Sequence, residues 1–514
     1  MKQSFGGFRR SSRLPIAISA MLCAVVSSHP VMAQGLGVID PSQSLNWQPP
    51  AISHVQRMRQ FRDVDHGSQS TPPIIPRFQL DADPSGAVGT FQLNGATITS
   101  NNAFFQNLGT NERTCFTCHQ PANGWSISAA SVQARFALSG GNDPIFRLVD
   151  GATCPNDNVS TRSAKLQSYK LLLKRGLIRI GLSLPPGLQF KVINVADPYN
   201  CTTNSATGLI SPTSGILSMY RRPLPAANLG FLSAIMWDGR EPSLTSQAMD
   251  ATLGHAQASV APTAAQLAEI VAFETGVFSA QEFDSKARIL HDDGATGGSV
   301  ALSLQLANFF VGVNDPLGQN PTGSPFNPAI FDVYKPWLGL IGRDPARQDR
   351  ESVARGEEVF NNTPINITGV AGLNDALNKP SISGFCGTCH DTPNVGDHSV
   401  KAPLNIGIAD AGANAPPALD ISGLPVFTLL CTQGALAGQT FVVTDPGRAM
   451  ISGNCADIGK LKGPILRGLA ARAPYFHNGS AATLMDAVNF YDRRFNIGFT
   501  NQQKQDLVNF LNTL

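Results

Sequence analysis

The sequence is poor in charge. Only 14% of its 514 residues are Asp, Glu, Lys or Arg, and 38 basic against 36 acidic side chains leave a formal net charge of +2. With no basic excess to neutralise phosphates, nucleic acid is excluded as a natural partner. Aromatic residues are also scarce, at 7%, while hydrophobic residues reach 42%. That balance belongs to a folded chain of two or three domains and not to a disordered one. Beyond the N-terminus no apolar run is long enough for a membrane span. Gly (48) and Pro (36) are plentiful instead, which predicts long loops.

The one early apolar run, Leu14 to Val26, follows Lys2, Arg9, Arg10 and Arg13 and precedes Val31-Met32-Ala33. It is too short for an anchor, and Pro30 lies just past it. Residues 1–33 therefore read as a secretory signal cut before Gln34. Its removal leaves 34 basic and 36 acidic residues, net −2. The expected destination is a bacterial periplasm.

Cys23 leaves with that signal, and eight cysteines remain. Four stand in two frames, Cys115-Phe-Thr-Cys118-His119 and Cys386-Gly-Thr-Cys389-His390. CxxCH is the attachment signature of c-type haem. Two thiols one turn apart can add to the two vinyl groups of a porphyrin, and the adjacent His then ligates the iron. A zinc site would need the Cys pairs close together, yet the frames are 271 positions apart. A thioredoxin-like redox pair would sit in a strand–helix unit and would not need the His. The reading is two covalent haems. Cys154, Cys201, Cys431 and Cys455 are left to pair in an oxidising compartment. Cys154–Cys201 and Cys431–Cys455 are favoured, because each pair lies within one segment between motifs.

The fold class expected is mostly α, with two cytochrome c-type haem domains, long loops and an irregular N-terminal extension. The extension covers 34–100, the first haem domain 101–342 with an insertion at about 126–215, and the second 343–514. Phe104 and Phe105, in the lead-in to the first frame, are expected to pack on the porphyrin. Leu166–Ile180 is a helix or a strand. Trp237–Gln247 and Ala264–Ser279 look helical. Ser352–Phe360 reads as a short amphipathic helix before the second frame. Thr500 and Gln503 form a capping box, and Leu507, Phe510, Leu511 and Leu514 follow as an apolar stripe. No internal repeat is evident beyond the two frames.

Further motifs join the frames: Met236-Trp237-Asp238-Gly239-Arg240, Thr444-Asp445-Pro446-Gly447-Arg448 and Ala473-Pro474-Tyr475-Phe476-His477-Asn478-Gly479-Ser480. Together they resemble the bacterial di-haem cytochrome c peroxidase/MauG family over roughly residues 100–514, apart from the insertion. The resemblance implies a reactive first haem, a second haem that relays or stores electrons, and Trp237 as the electron carrier between them. It also implies a small redox donor, a cytochrome or cupredoxin.

The mature chain has His at 54, 66, 119, 255, 291, 390, 398 and 477. Typical peroxidases of the family hold a closing His on a loop soon after the first frame. Here no His lies between His119 and His255, and no Met between His119 and Met219, so the first haem is expected to be open without prior reduction. The family also places a Gln ten residues after the Trp and a Glu twenty after it. Gln247 matches the first place, but Gln257 holds the second, and Gln cannot accept a proton at neutral pH. Either His255 does the acid–base work that peroxide cleavage needs, or the chemistry is O2 on an apolar substrate, as in rubber oxygenases. For the second haem, the resemblance points to Tyr491 as sixth ligand, with Met450, Met485 and His398 as rivals. It further implies a calcium ion between the haems, but Arg222 holds the matching ligand place, with Asn228 nearby. The leading function is a periplasmic oxidoreductase acting on H2O2. An oxygenase and a non-enzymatic electron carrier are the alternatives.

Overall fold

The computed structural model describes residues 71–199, 201 and 215–514. The expected secretory signal, His54 and His66 lie outside the described residues. Helix makes up 31% and strand 17% of the structure, the latter in several small sheets, which overturns the mostly α expectation. The strands are short and bounded by the Gly and Pro residues that read as loop.

The described part of the N-terminal extension shows how this happens. Phe78–Asp83 and Gly86–Gln92 form a hairpin whose turn is held by Asp83 Oδ1, which accepts from the backbone N–H groups of Ser85 and Gly86. The hairpin pairs antiparallel with Val277–Asp284, and Arg288–Ile289 completes a four-stranded sheet. The helix expected over Ala264–Ser279 therefore ends at Gly276, where the chain passes into this strand. Leu166–Ile180 proves to be both: helices Arg162–Ser168 and Lys170–Arg175 lead into strand Ile178–Ser183.

The insertion is joined to the second half of the chain. Its strand Phe190–Ala196 pairs with Val426–Cys431, which also pairs with Thr440–Val443. Disulfides link Cys154 to Cys201 and Cys431 to Cys455, both as expected. In the second half, Ser352–Phe360 is part of a longer helix, Pro345–Asn362. It crosses the C-terminal helix Asn501–Asn512, which Thr500 and Gln503 cap as expected. Gly356 is required at the crossing, since a Cβ there would meet the Asp506 carbonyl at 2.0 Å. Phe331, Phe360, Leu507 and Phe510 pack around it as one core.

The structure also contains a repeat that residue identities conceal. Met236 and Phe476 both adopt left-handed backbone, with φ of 67° and 64°. Each sits in a tight turn closed by a bridge, Ile235 to Glu241 and Tyr475 to Ala481. Each turn then enters a helix through a capping box, Ser243 with Ser246 before Leu244–Gly254 and Thr483 with Asp486 before Leu484–Phe495. A second capped helix follows in both halves, Ala264–Gly276 and Asn501–Asn512. The first of these turns carries Trp237, so the helix expected from Trp237 begins only at Leu244. Among the described residues, no helix is long and apolar enough to cross a membrane.

Candidate functional site

Each CxxCH frame folds into one tight turn. The Thr117 hydroxyl accepts from Thr114 N–H (3.0 Å) and the Thr388 hydroxyl from Phe385 N–H (2.9 Å). His119 N–H donates to the Cys115 carbonyl and His390 N–H to the Cys386 carbonyl. This brings both thiols and the imidazole of each frame to the wall of one cavity. The first cavity measures about 160 Å³ and the second about 190 Å³.

The two His rings are held alike. His119 Nδ1–H donates to the Trp125 carbonyl (2.9 Å) and His390 Nδ1–H to the Gly396 carbonyl (2.7 Å). Nε2 of each is left to bind a metal, the usual arrangement for an imidazole ligand. Burial pushes His119 down to about 4 and lowers His390 as well, so both rings are neutral. Phe104 and Phe105 do not line the cavity. They pack with Phe273, Phe116 and Trp125 in a cluster behind His119, which fixes the Trp125 carbonyl.

Among the described residues, the four cysteines of the frames are those that form no disulfide. Burial pushes the Cys386 and Cys389 thiols up to about 12 and raises Cys115 and Cys118 too. Zinc would need thiolates. The second cavity is also lined by three cations, Arg222 and Lys462, which are buried, and Arg472, which is half-buried. Arg222 and Arg472 donate only to backbone carbonyls. Burial lowers Arg222 to about 9, with Arg472 adding like-charge repulsion, and burial lowers Arg472 to about 10. Lys462 falls to about 8 for the same reason, although Asp397 partly offsets it. Buried cations call for an anion, and the two propionates of a haem would supply it. Paired thiols, a neutral imidazole and unneutralised cations fit a c-type haem.

Trp237 lines both cavities. Its indole N–H donates to the Arg222 carbonyl (2.8 Å), and its ring meets His477 edge-on with centroids 6.2 Å apart. Gln247 and His255 line the first cavity, but Gln257 does not. The Gln257 side chain turns instead toward Asn111. Of the sixth-ligand candidates, only Tyr491 lines the second cavity. Met450 is buried in the core around Phe190 and Phe427, and His398 lines a small separate cleft. Opposite chemistry meets at equivalent places in the repeat: Ala251 faces the first cavity where Tyr491 faces the second.

Comparison with known proteins agrees with this geometry. Over 151 residues the chain is 30% identical to cytochrome c551 peroxidase of Nitrosomonas europaea, covering 28% of this chain and 36% of that one. Over 81 residues it is 36% identical to cytochrome-c peroxidase IdrP1 of Pseudomonas sp. (strain SCT), covering 14% and 21% respectively. Over these stretches the chain is similar to bacterial cytochrome c peroxidases. It spans about a fifth to a third of the length of these curated relatives. No family model matches. A solved MauG-like protein associated with microbial copper homeostasis aligns over 59% of this chain and 75% of its own, at 18% identity and a TM-score of 0.31.

The residues between the two cavities do not fit calcium. The Arg222 guanidinium already takes the carbonyls of Arg175, Ile127 and Arg472. Arg221 is saturated by Asp445 and Asp238. Both the amide and the carbonyl of the Asn228 side chain pair with the Ser279 backbone.

Sequence reasoning missed four acidic or basic groups at the first cavity: Arg113, Asp150, Arg221 and Glu274. Arg113 adjoins the frame, but nothing marked it. Asp150 lies inside the insertion, far in sequence from the motifs. Glu274 is buried with Oε2 unpartnered, and burial pushes its carboxyl up to about 8.

Proposed function

We propose that the chain is an exported di-haem oxidoreductase that reduces hydrogen peroxide in the first cavity with electrons drawn through the second. Cys115, Cys118 and His119 would hold one haem covalently. Cys386, Cys389 and His390 would hold the other, and Tyr491, which lines the same cavity, would supply a further oxygen ligand to its iron. When bound, the haems supply redox-active iron, for peroxide in the first cavity and for electron exchange in the second. Trp237 is the observation that carries the reading, because one indole borders both cavities and is fixed by its bond to Arg222. Ala251 leaves room for a small substrate in the first cavity. The names of the relatives support peroxide as oxidant and a small c-type cytochrome as donor, and a cupredoxin would serve the same role. Residues 1–33 and the two disulfides support a periplasmic setting.

One observation favours a second reading. Ile178, Ile180, Leu224, Leu232 and Ile235 give the first cavity an apolar wall, which suits O2 chemistry on an apolar substrate. The deciding experiment adds H2O2 to the purified holoprotein and reduced c-type cytochrome, without prior reduction of the enzyme. Oxidation of cytochrome at two electrons per peroxide supports the peroxidase. Oxygen uptake with an apolar alkene, and none of the peroxide reaction, supports the oxygenase. Neither activity, with both irons six-coordinate, leaves an electron carrier.

A further inference from the structure

His255 caps the C-terminal end of the Leu244–Gly254 helix, and its N–H donates to the Ala251 carbonyl. Gln247, Ala251 and His255 recur every four residues, so one helical face points all three into the first cavity. The backbone around His255 is clamped. Asn111 donates to the His255 carbonyl (2.8 Å), Thr110 N–H donates to the Ala256 carbonyl (3.1 Å), and Gly109 approaches Ala256 where a Cβ could not fit.

The ring itself is held from the insertion. His255 Nδ1 lies 2.6 Å from Asp150 Oδ2, and Asp150 Oδ1 lies 2.6 Å from Arg113 Nη1. Arg113 is fixed in turn by donating to the Pro144 and Ile145 carbonyls. Burial opposes ionisation of Asp150, but Arg113 and His255 outweigh it and hold its carboxyl below the usual range. An ionised carboxylate only accepts. Nδ1 must therefore carry the hydrogen, and Nε2 is the ring nitrogen left to exchange a proton with a substrate. The other ionisable groups lining this cavity are Arg113, His119, Arg221, Arg222, Arg240 and Glu274, besides the Cys115 and Cys118 thiols.

We propose that Asp150 of the insertion is a positioning residue that fixes His255 as the acid–base group of the first cavity. This rests on the peroxide reading above. His255 Nε2 takes the proton from one peroxide oxygen and returns it to the other as the O–O bond breaks. The second oxygen leaves as water. The first is reduced to water by two electrons from the reduced c-type cytochrome and two solvent protons, so His255 ends as it began. No carboxylate is then needed at position 257, because His255 is the base and the carboxylate that orients it, Asp150, enters from the insertion.

The test uses the holoprotein and two ligands besides peroxide. Cyanide arrives as HCN at neutral pH and must lose its proton to bind, whereas azide arrives already ionised. Asp150→Asn keeps the side-chain size but allows the wrong tautomer of His255. It is expected to lower kcat with peroxide by about 100-fold or more, with KM little changed. It should slow cyanide association similarly and leave azide association and haem content as in wild type. His255→Gln should give the same losses, and the double variant no further loss. If Asp150→Asn fails to take up haem, Asp150→Glu, which keeps the charge but displaces the carboxylate, should slow cyanide and spare azide. Cyanide rates equal to wild type in Asp150→Asn or Asp150→Glu overturn the inference, as does equal slowing of azide. If wild type does not turn over peroxide but the cyanide effect stands, the peroxide reading fails while the role of Asp150 survives.

Discussion

Ala251 and Tyr491 occupy the same place in two copies of one turn–helix unit, each eight residues after the N-cap residue, Ser243 or Thr483, and each facing a cavity walled by a CxxCH frame. A methyl group in one copy and a phenol in the other make the two cavities chemically unequal. Tyr491 packs on Phe495 and Phe476, and burial raises its phenol well above the ordinary range.

This inequality sets the first prediction. Electron paramagnetic resonance of the ferric protein as purified should show one high-spin and one low-spin iron. Tyr491→Phe should abolish the low-spin signal and raise the potential of that haem, since an anionic oxygen donor favours oxidised iron. Ala251→Tyr should remove the high-spin signal and block cyanide binding. A low-spin signal unchanged in Tyr491→Phe would place the ligand on another residue.

Trp237 sets the second. Trp237→Phe keeps a buried aromatic between the cavities but loses the bond to the Arg222 carbonyl. Haem content should be unchanged, while electron delivery after a peroxide pulse slows by about tenfold or more, near 1.4 kcal/mol of barrier. Stopped-flow absorbance of the second haem follows this directly. Unchanged delivery would make Trp237 a packing residue.

The parts legible in the sequence were those encoded by neighbours. Both CxxCH frames, the Thr500–Gln503 cap and the two disulfides depend on short spacings or on residue types with few uses. The strands escaped notice because pieces such as Phe78–Asp83 gain their partners from Val277–Asp284, far along the chain. The repeat escaped notice because its halves share backbone angles and caps, with Met236 answering Phe476 and Ser243 answering Thr483. Asp150 was invisible for the same reason as the sheet. Its meaning comes from His255, which only the folded insertion brings within 2.6 Å. Gln257 falls outside the lining of the first cavity because its left-handed backbone, φ 54°, follows the end of the cavity-facing helix.

Arg222 sets the third prediction. Its guanidinium fills the place between the cavities and satisfies three carbonyls, so exhaustive chelation should leave haem spectra and melting temperature unchanged. Arg222→Met should be costly, because buried carbonyls lose their donors at about 1–3 kcal/mol each. For the three carbonyls the loss is expected to reach about 3 kcal/mol or more, measured by chemical denaturation of the holoprotein. A loss of stability on chelation, restored by calcium, would contradict the finding that the site rejects the ion.

Glu274 sets the fourth. Its carboxyl, raised by burial to about 8, lines the first cavity without a partner for Oε2. In the unfolded chain a Glu titrates near 4.3. Between these values the folded state holds a proton that the unfolded state has released, so the unfolded state binds fewer protons and stability falls as pH rises. The penalty is small at pH 5 and nearly complete by pH 8. Glu274→Gln carries no such proton and escapes it. The variant should therefore gain on wild type as pH rises from 5 to 8, by on the order of 3 kcal/mol. Denaturant melts of both proteins across that range read the difference. A parallel pH dependence in the two would mean that an ionised Glu274 finds a cation when the haem is in place, with Arg240 in the same cavity lining the first to examine.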